Sequence, residues 1–202
     1  MVDFFIQGGG FMWPILIALL FGLAIIGERA YSLINSSSDN DQFFEEVKTI
    51  YSDSGKDQAI EFCENSPGPV ASIFYAGLSK MEKTKEEVEK AVQNAGGLEM
   101  AFLEKNMIWI NSVITIAPML GFTGTVVGMI KAFEDIKMAN DISPAVVAGG
   151  ISQALLTTAF GLIVAMIMQV AQNFFVSMID KLILDMEEQS IKIVEYLHSS
   201  KK

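Results

Sequence analysis

The chain has 202 residues, of which 51% are hydrophobic and 19% are charged, and its mean hydropathy is +0.39. That composition is more apolar than an ordinary soluble domain and indicates a membrane protein. The formal net charge is −10, and Arg29 is the single arginine. Because phosphate binding requires clustered lysine and arginine, this balance argues against a nucleic-acid partner.

Three segments carry no Asp, Glu, Lys or Arg: residues 4–27, 107–130 and 142–179. Each is longer than the roughly 20 residues needed to cross a bilayer core, so the sequence predicts three transmembrane helices. The third segment is too long for one crossing, and we expect its surplus to continue as a helix beyond the lipid. Since no strand pattern of any length is present, the predicted class is an all-α integral membrane protein.

Basic residues indicate the orientation of these helices. No lysine or arginine precedes the first span, whereas seven lysines lie between residues 36 and 105. We therefore expect a periplasmic N-terminus and a cytoplasmic C-terminus. The predicted division is an N-terminal tail with the first transmembrane helix (1–35), a cytoplasmic helical domain (36–106), a second transmembrane helix with a periplasmic hairpin (107–141), a third transmembrane helix (142–179) and a cytoplasmic C-terminal helix (180–202).

The cytoplasmic segment is predicted to be helical throughout, with a break at residues 66–70 and a new helix after Pro69. A further helix begins with Thr84 as N-cap and Glu87 at the capping-box position. From there to Lys137 no stop signal is stronger than the glycine pair at 96–97 and a proline at 118. One helix of some fifty residues, roughly 80 Å long, is therefore expected. The third span is expected to begin with Ser143 as N-cap.

Few residues in the sequence suggest catalysis. Cys63 is the single cysteine and the only histidine is His198 near the end of the chain, so Cys63 is interpreted as a structural thiol. No span offers a Ser-His, paired-Asp or metal-ligand constellation, which makes an intramembrane enzyme a weak hypothesis. The sequence predicts no cofactor and no metal site.

Small residues recur at spacings of three and four in the second and third spans, and so form a stripe on one face of each helix. The stripes are Pro118, Gly121, Thr125, Gly128 and Ala132 in one span, and Gly150, Ala154, Thr158, Gly161 and Ala165 in the other, with Gly124 and Thr157 nearby. Small residues allow close approach of helices in lipid, and threonines can hydrogen-bond across the contact. Two interpretations stay open: the stripes only pack helices, or part of them faces a partner helix or a polar path.

The uncharged second and third spans hold no ionisable residue, although intramembrane proton relays depend on such groups. If the chain serves a proton path, the titrating group must come from another protein. Thr125, Thr158 and Gln153 would then line the path, because hydroxyls and amides hold water without titrating in the useful range. Polar groups facing lipid need partners, so a homo-oligomeric ring with the stripes turned inward is expected.

Several blocks resemble the ExbB/TolQ/MotA proton-channel family, and the ExbB/TolQ branch in particular. They are PGPVASIFYAGL (67–78), LEKN (103–106), APMLGFTGTVVGMI (117–130) and GISQALLTTAFGL (150–162), together with the Glu28-Arg29 pair after the first span. These blocks cover most of the chain in the family's order. The MotA type has four spans and a different cytoplasmic domain, so the three-span branch is the better match.

The resemblance implies an energy-transducing subunit of the bacterial inner membrane. Several copies, commonly five, would surround single-span ExbD/TolR-like partners that each supply a membrane aspartate, and the proton-motive force would energise a TonB- or TolA-like protein. Thr125 and Thr158 match the two family threonines that face this aspartate. The predicted path-lining residues are therefore Thr125, Thr158, Gln153 and Thr157, and the predicted helix-packing residues are Gly121, Gly124, Gly128, Ala154 and Gly161.

One departure from the family pattern is Gln153, where the family often has a glutamate. A glutamine keeps the hydrogen bonding but cannot change charge, so proton binding would depend more on the partner protein. Glu28 and Arg29 are expected to form an interface charge pair with snorkelling side chains. A TolQ-like envelope-integrity subunit, a gliding motor subunit and a passive membrane scaffold remain alternatives.

Overall fold

The computed structural model describes residues 2–36, 40–139 and 144–199, and every regular element in these ranges is an α-helix. The helices are α1 (Val2–Gln7), α2 (Met12–Ser36), α3 (Asn40–Ser54), α4 (Lys56–Asn65), α5 (Pro69–Ser79), α6 (Lys85–Leu103), α7 (Met107–Ala139) and α8 (Pro144–Ser199). Three helical stretches are long and apolar enough to cross a membrane: Met12–Ser36, Lys85–Met138 and Ala148–Ser199. The all-α class with three candidate membrane spans is confirmed.

The uncharged sequence of the first apolar segment predicted one helix, but the structure contains two. The segment divides into α1 and α2, and the glycines at positions 8–10 form the turn between them. Gly9 has φ 73°, a left-handed conformation that a residue without Cβ adopts at little cost. The glycine run is therefore a turn, and the first spanning helix begins at Met12.

The single helix expected from Thr84 to Lys137 is also wrong. Helix α6 ends at Leu103 and α7 begins at Met107, and Asn106 between them has φ 65°. Asparagine is enriched among residues that adopt this left-handed conformation, and one such residue interrupts the helical hydrogen-bond ladder. By contrast, Pro118 lies inside α7 without ending it.

Other local predictions are confirmed. Thr84 caps α6 in a full capping box: its hydroxyl accepts from the Glu87 backbone N–H at 3.3 Å, and the Glu87 carboxylate accepts from the Thr84 N–H at 3.2 Å. The Thr84 backbone N–H and the Thr84 hydroxyl, which both donate to the Glu87 carboxylate, lower the pKa of that carboxyl. Pro69 begins α5, and α8 runs unbroken for 56 residues. Ser143, predicted as the N-cap of α8, lies outside the described residues.

The chain divides into two compact units. The first, called here the apolar unit, comprises Met1–Glu28 and Asn106–Phe174. It contains α1, most of α2, the whole of α7 and the first part of α8. Its buried side chains include Met12, Ile15, Ile110, Ala117 and Met168. The predicted path-lining residues all lie in this unit.

The second, called here the charged unit, comprises Arg29–Lys105 and Phe175–Lys202. Its core contains an aromatic cluster in which Phe74 contacts Phe43 and Phe44 at centroid distances of 5.6 and 5.8 Å. Asp41 on α3 accepts hydrogen bonds from Lys192 at 2.7 Å and Gln189 at 2.9 Å on α8. Lys192 and Gln189 lower the pKa of the Asp41 carboxyl by these bonds.

Cys63 lies in the core of the charged unit. It is 2% exposed, and burial raises the pKa of its thiol to about 12. A thiol with that pKa stays protonated at neutral pH and is a poor nucleophile. The interpretation of Cys63 as a structural residue fits this environment.

Candidate functional site

Helices α7 and α8 meet at glycines, so their backbones come into contact. A Cβ built on Gly121 would lie 2.8 Å from the Thr157 carbonyl oxygen, and one built on Gly161 would lie 2.5 Å from the Ala117 carbonyl oxygen. Real side chains do not approach backbone atoms so closely. The two helices can therefore pack in this way only because both positions lack a side chain.

The same contact continues along α7. A Cβ on Gly128 would lie 3.2 Å from the Ala154 Cβ, and one on Gly124 would lie 2.7 Å from the Thr157 hydroxyl oxygen. The two small-residue stripes thus face each other within one chain. The expectation that whole stripes turn toward the inside of a ring is corrected, because their glycines are already covered by the neighbouring helix.

Two hydroxyl groups lie at the edge of this helix contact. The Oγ1 atoms of Thr125 and Thr158 are hydrogen-bonded to each other, and both side chains are half-buried. Thr125 Oγ1 also lies 2.9 Å from the Ala154 carbonyl oxygen, and Thr158 Oγ1 lies 3.1 Å from the Gly121 carbonyl oxygen. The structure brings these two predicted residues together.

The chemistry of this threonine pair follows from its proton count. A hydroxyl has one proton to donate and two lone pairs that accept. The two protons are shared among the bond between the hydroxyls and the carbonyls of Gly121 and Ala154, so acceptor capacity remains on the two oxygens. The half-buried position leaves them within reach of a group outside the chain, such as a protonated carboxyl or water.

Thr157 occupies a different environment from the threonine pair. It is 1% exposed, and its hydroxyl donates to the Ala154 carbonyl oxygen of its own helix at 2.7 Å. Its side chain fills the space beside Gly124. This burial argues against the predicted lining role and indicates that Thr157 packs α8 against α7.

Gln153 is half-buried one residue before Ala154, and its carboxamide lies against Gly9 in the turn before α2. Phe11 follows in the same segment, and its Cβ is 3.2 Å from the Cβ position of Gly124. Gly9 and Phe11 were not predicted from the sequence as candidate site residues. The run of three glycines at positions 8–10 could have indicated this contact, because a glycine turn allows the backbone to approach another helix closely.

Glu28 and Arg29, predicted to form a charge pair, each have a hydrogen-bond partner within their own compact unit. In the apolar unit, Glu28 accepts a hydrogen bond from the Asn106 side chain at 3.2 Å. In the charged unit, Arg29 is 1% exposed and its guanidinium donates to the Leu103 carbonyl oxygen at 3.4 Å. Arg29 is therefore buried rather than snorkelling to a surface.

No group of three or more His, Cys, Asp or Glu side chains that could hold a metal ion occurs among the described residues. The two segments that carry the threonine pair, residues 107–130 and 142–179, contain no ionisable side chain. The site can accept or relay hydrogen bonds. It cannot take up a charge by itself.

Comparison with known proteins places the chain in a family. Residues 65–188 match the model of the MotA/TolQ/ExbB proton channel family. The chain is similar to "Putative biopolymer transport protein ExbB-like 3" of Synechocystis sp., with 28% identity over 92% of the chain and 90% of that relative. It is 26% identical to "Biopolymer transport protein exbB1" of Vibrio cholerae, over 79% of the chain and 72% of the relative.

A TolQ protein is also among the relatives. The "Tol-Pal system protein TolQ" of Pseudomonas aeruginosa is 29% identical over 55% of the chain, which spans 54% of that relative's length. The matched region of the family model contains both Thr125 and Thr158. The chain therefore belongs to the MotA/TolQ/ExbB proton channel family, within its ExbB/TolQ branch, and is a membrane channel subunit rather than an enzyme.

Proposed function

We propose that the chain is the channel subunit of an inner-membrane complex that couples the proton-motive force to a TonB- or TolA-like protein. Copies of the chain form a ring, with five as the expected number, around single-span ExbD/TolR-like helices. The N-terminus is periplasmic and the C-terminus cytoplasmic. A membrane aspartate on each partner helix carries the proton, and the threonine pair faces that aspartate.

The observation that carries this proposal is the threonine pair itself. Thr125 and Thr158 lie at the edge of the α7–α8 contact with unused acceptor lone pairs, in spans that lack any ionisable residue. A protonated partner carboxyl can donate to these oxygens, and a deprotonated one can accept from a hydroxyl that turns away from its present acceptor. The hydroxyls can thus stabilise both protonation states of a carboxyl that this chain does not possess.

Gln153 supports a division of labour between the subunits. Its carboxamide donates and accepts hydrogen bonds but cannot titrate. In this proposal Gln153 orders water near the threonine pair, and all proton binding belongs to the partner aspartate. The chain supplies the walls of the path and the partner supplies the charge.

Service to a TonB-like client is favoured over a Tol-like client. The relative whose match extends over 92% of the chain has an ExbB-like name, whereas the TolQ match extends over 55%. A TolQ-like or gliding-type role is the alternative client assignment. A passive scaffold, in which the threonines only pack helices, is the alternative mechanism.

The test is co-expression with a candidate single-span partner, followed by client-dependent growth or uptake. Thr125→Val and Thr158→Val keep the side-chain shape and remove the hydroxyl, so both variants should assemble with the partner and lose activity. Thr123→Val is the matched control, because Thr123 is exposed on the same helix and its hydroxyl bonds only to its own helix at Met119. Full activity in both test variants would favour the scaffold.

A further inference from the structure

The turn that precedes α2 is held in a defined conformation. The Gly9 backbone N–H donates to the Ile6 carbonyl oxygen at 3.2 Å, and the Met12 N–H donates to the Gly9 carbonyl oxygen at 3.2 Å. Gly9 itself adopts φ 73°. Because both sides of the turn are hydrogen-bonded to neighbouring helical residues, the position of Gly9 is fixed relative to α1 and α2.

Gly9 makes close contact with the side chain of Gln153 on α8. A Cβ built on Gly9 would overlap the Gln153 Nε2 atom and would lie 3.0 Å from its Cδ. The neighbouring Gly10 differs, because a Cβ there would meet nothing within 4 Å. The carboxamide of Gln153 thus occupies space that exists only because residue 9 has no side chain.

The residues after the turn are packed inside the apolar unit, and one of them lies against α7. Met12 is 1% exposed and Ile15 is 2% exposed, and Phe11 packs beside Gly124 of α7. Gln153 also directly precedes Ala154, whose carbonyl oxygen lies 2.9 Å from the Thr125 hydroxyl oxygen. A change in the packing of Gln153 would therefore act one residue away from the backbone carbonyl that accepts from Thr125.

We propose that Gly9 is a positioning residue for Gln153, so that the segment before the first span takes part in shaping the polar site. Its role is to hold the Gln153 carboxamide in one orientation, one residue before the carbonyl that accepts from Thr125. The inference rests on the proposed function in one respect, namely that Gln153 belongs to the polar path. The contact between the two residues does not depend on that function.

The contact is tested by oxidative cross-linking in native membranes. The Gly9→Cys/Gln153→Cys variant should form a disulfide, since Cβ atoms of disulfides lie about 3.5–4.5 Å apart. After oxidation, denaturation and labelling, it should retain one free thiol, that of Cys63. The Gly10→Cys/Gln153→Cys control should retain three. Equal numbers of free thiols in the two variants would overturn the contact.

The functional role is tested with Gly9→Ala, Gly10→Ala and Gln153→Ala in the partner-dependent activity assay. A carboxamide moved by roughly 1 Å should lower activity by up to about 10²-fold in Gly9→Ala, and Gly10→Ala should match the wild type. In the Gln153→Ala background, Gly9→Ala should cause no further loss. An equal loss in both backgrounds would show that backbone strain, rather than Gln153, is responsible.

Failure of this inference and failure of the proposed function give different results. If Thr125→Val and Thr158→Val lose activity while Gly9→Ala equals Gly10→Ala, only the positioning role of Gly9 is overturned. If both threonine variants keep full activity, the proposed function fails. The cross-linking result then still reports whether Gly9 contacts Gln153.

Discussion

The close contact between α7 and α8 makes a quantitative prediction at Gly161. Replacing Gly161 with alanine places a Cβ 2.5 Å from the Ala117 carbonyl oxygen and 3.2 Å from the Gly121 Cα. The first distance is about 1 Å inside ordinary van der Waals contact. Both neighbouring atoms belong to the backbone of α7, so a rotamer change cannot relieve the overlap and the helices must separate.

Gly149→Ala is the matched control on the same helix. A Cβ at Gly149 meets nothing within 4 Å, and both substitutions gain the same helix propensity of up to about 1 kcal/mol. The difference between the two variants therefore isolates the overlap. Overpacking of this kind typically costs 1–3 kcal/mol, so Gly161→Ala should be less stable than Gly149→Ala by roughly that amount.

The assay is equilibrium unfolding of the detergent-solubilised protein, followed by circular dichroism as SDS is titrated. Gly161→Ala should unfold at a lower SDS fraction than Gly149→Ala, and the wild type should lie between them or close to the control. Equal midpoints for the two variants would refute the reasoning, because they would show that α7 and α8 do not pack through Gly161.

The charged unit and its helix caps give three further predictions. Asp41 has a lowered pKa through its bonds from Lys192 and Gln189, so its stabilising effect is present above the usual carboxyl pKa and is lost as pH falls through the lowered value. Asp41→Asn should accordingly reduce the loss of melting temperature between pH 6 and pH 3, and an unchanged pH dependence would contradict this. Cys63, whose thiol has its pKa raised to about 12 by burial, should react with a maleimide at neutral pH only after unfolding; rapid native labelling would show that it is accessible. Thr84→Ala removes the α6 cap and should lower the free energy of unfolding by about 1 kcal/mol. Denaturant titration measures this loss, with Thr123→Val as the control. An equal loss in the two variants would show that the Thr84 cap does not stabilise α6.

Helix starts that are set by residues within one helical turn were predictable from the sequence. The Thr84 capping box and the start of α5 at Pro69 each depend on residues close together in the chain. Hydrophobicity alone also identified the three candidate spans, since an uncharged run of more than about 20 residues has few alternatives.

Two helix ends were not predicted, for a common physical reason. The ends at Gln7 and Leu103 are followed by residues in the left-handed conformation, Gly9 and Asn106. Glycine and asparagine allow that conformation but do not require it. Whether they adopt it depends on contacts with distant residues, such as Gln153 for Gly9, which periodicity does not reveal.

The candidate site was predictable in composition but not in arrangement. Spacing placed Thr125 and Thr158 on the small-residue stripes, and the structure joins their hydroxyls. Spacing did not show that the stripes cover each other, nor that Thr157 is buried while Thr158 is half-buried. These differences arise from the rotation of α8 against α7, which is set by glycine contacts between residues 26 to 44 positions apart.

Proton flux through the reconstituted complex tests the central claim most directly. The chain and a single-span partner with a membrane aspartate are placed in vesicles with an imposed membrane potential, and internal pH is followed with a dye. Thr125→Val/Thr158→Val should assemble with the partner yet lose most of the flux, whereas Thr123→Val should conduct like the wild type. Undiminished flux in the double variant would contradict the account, because the path would then not run past the threonine pair.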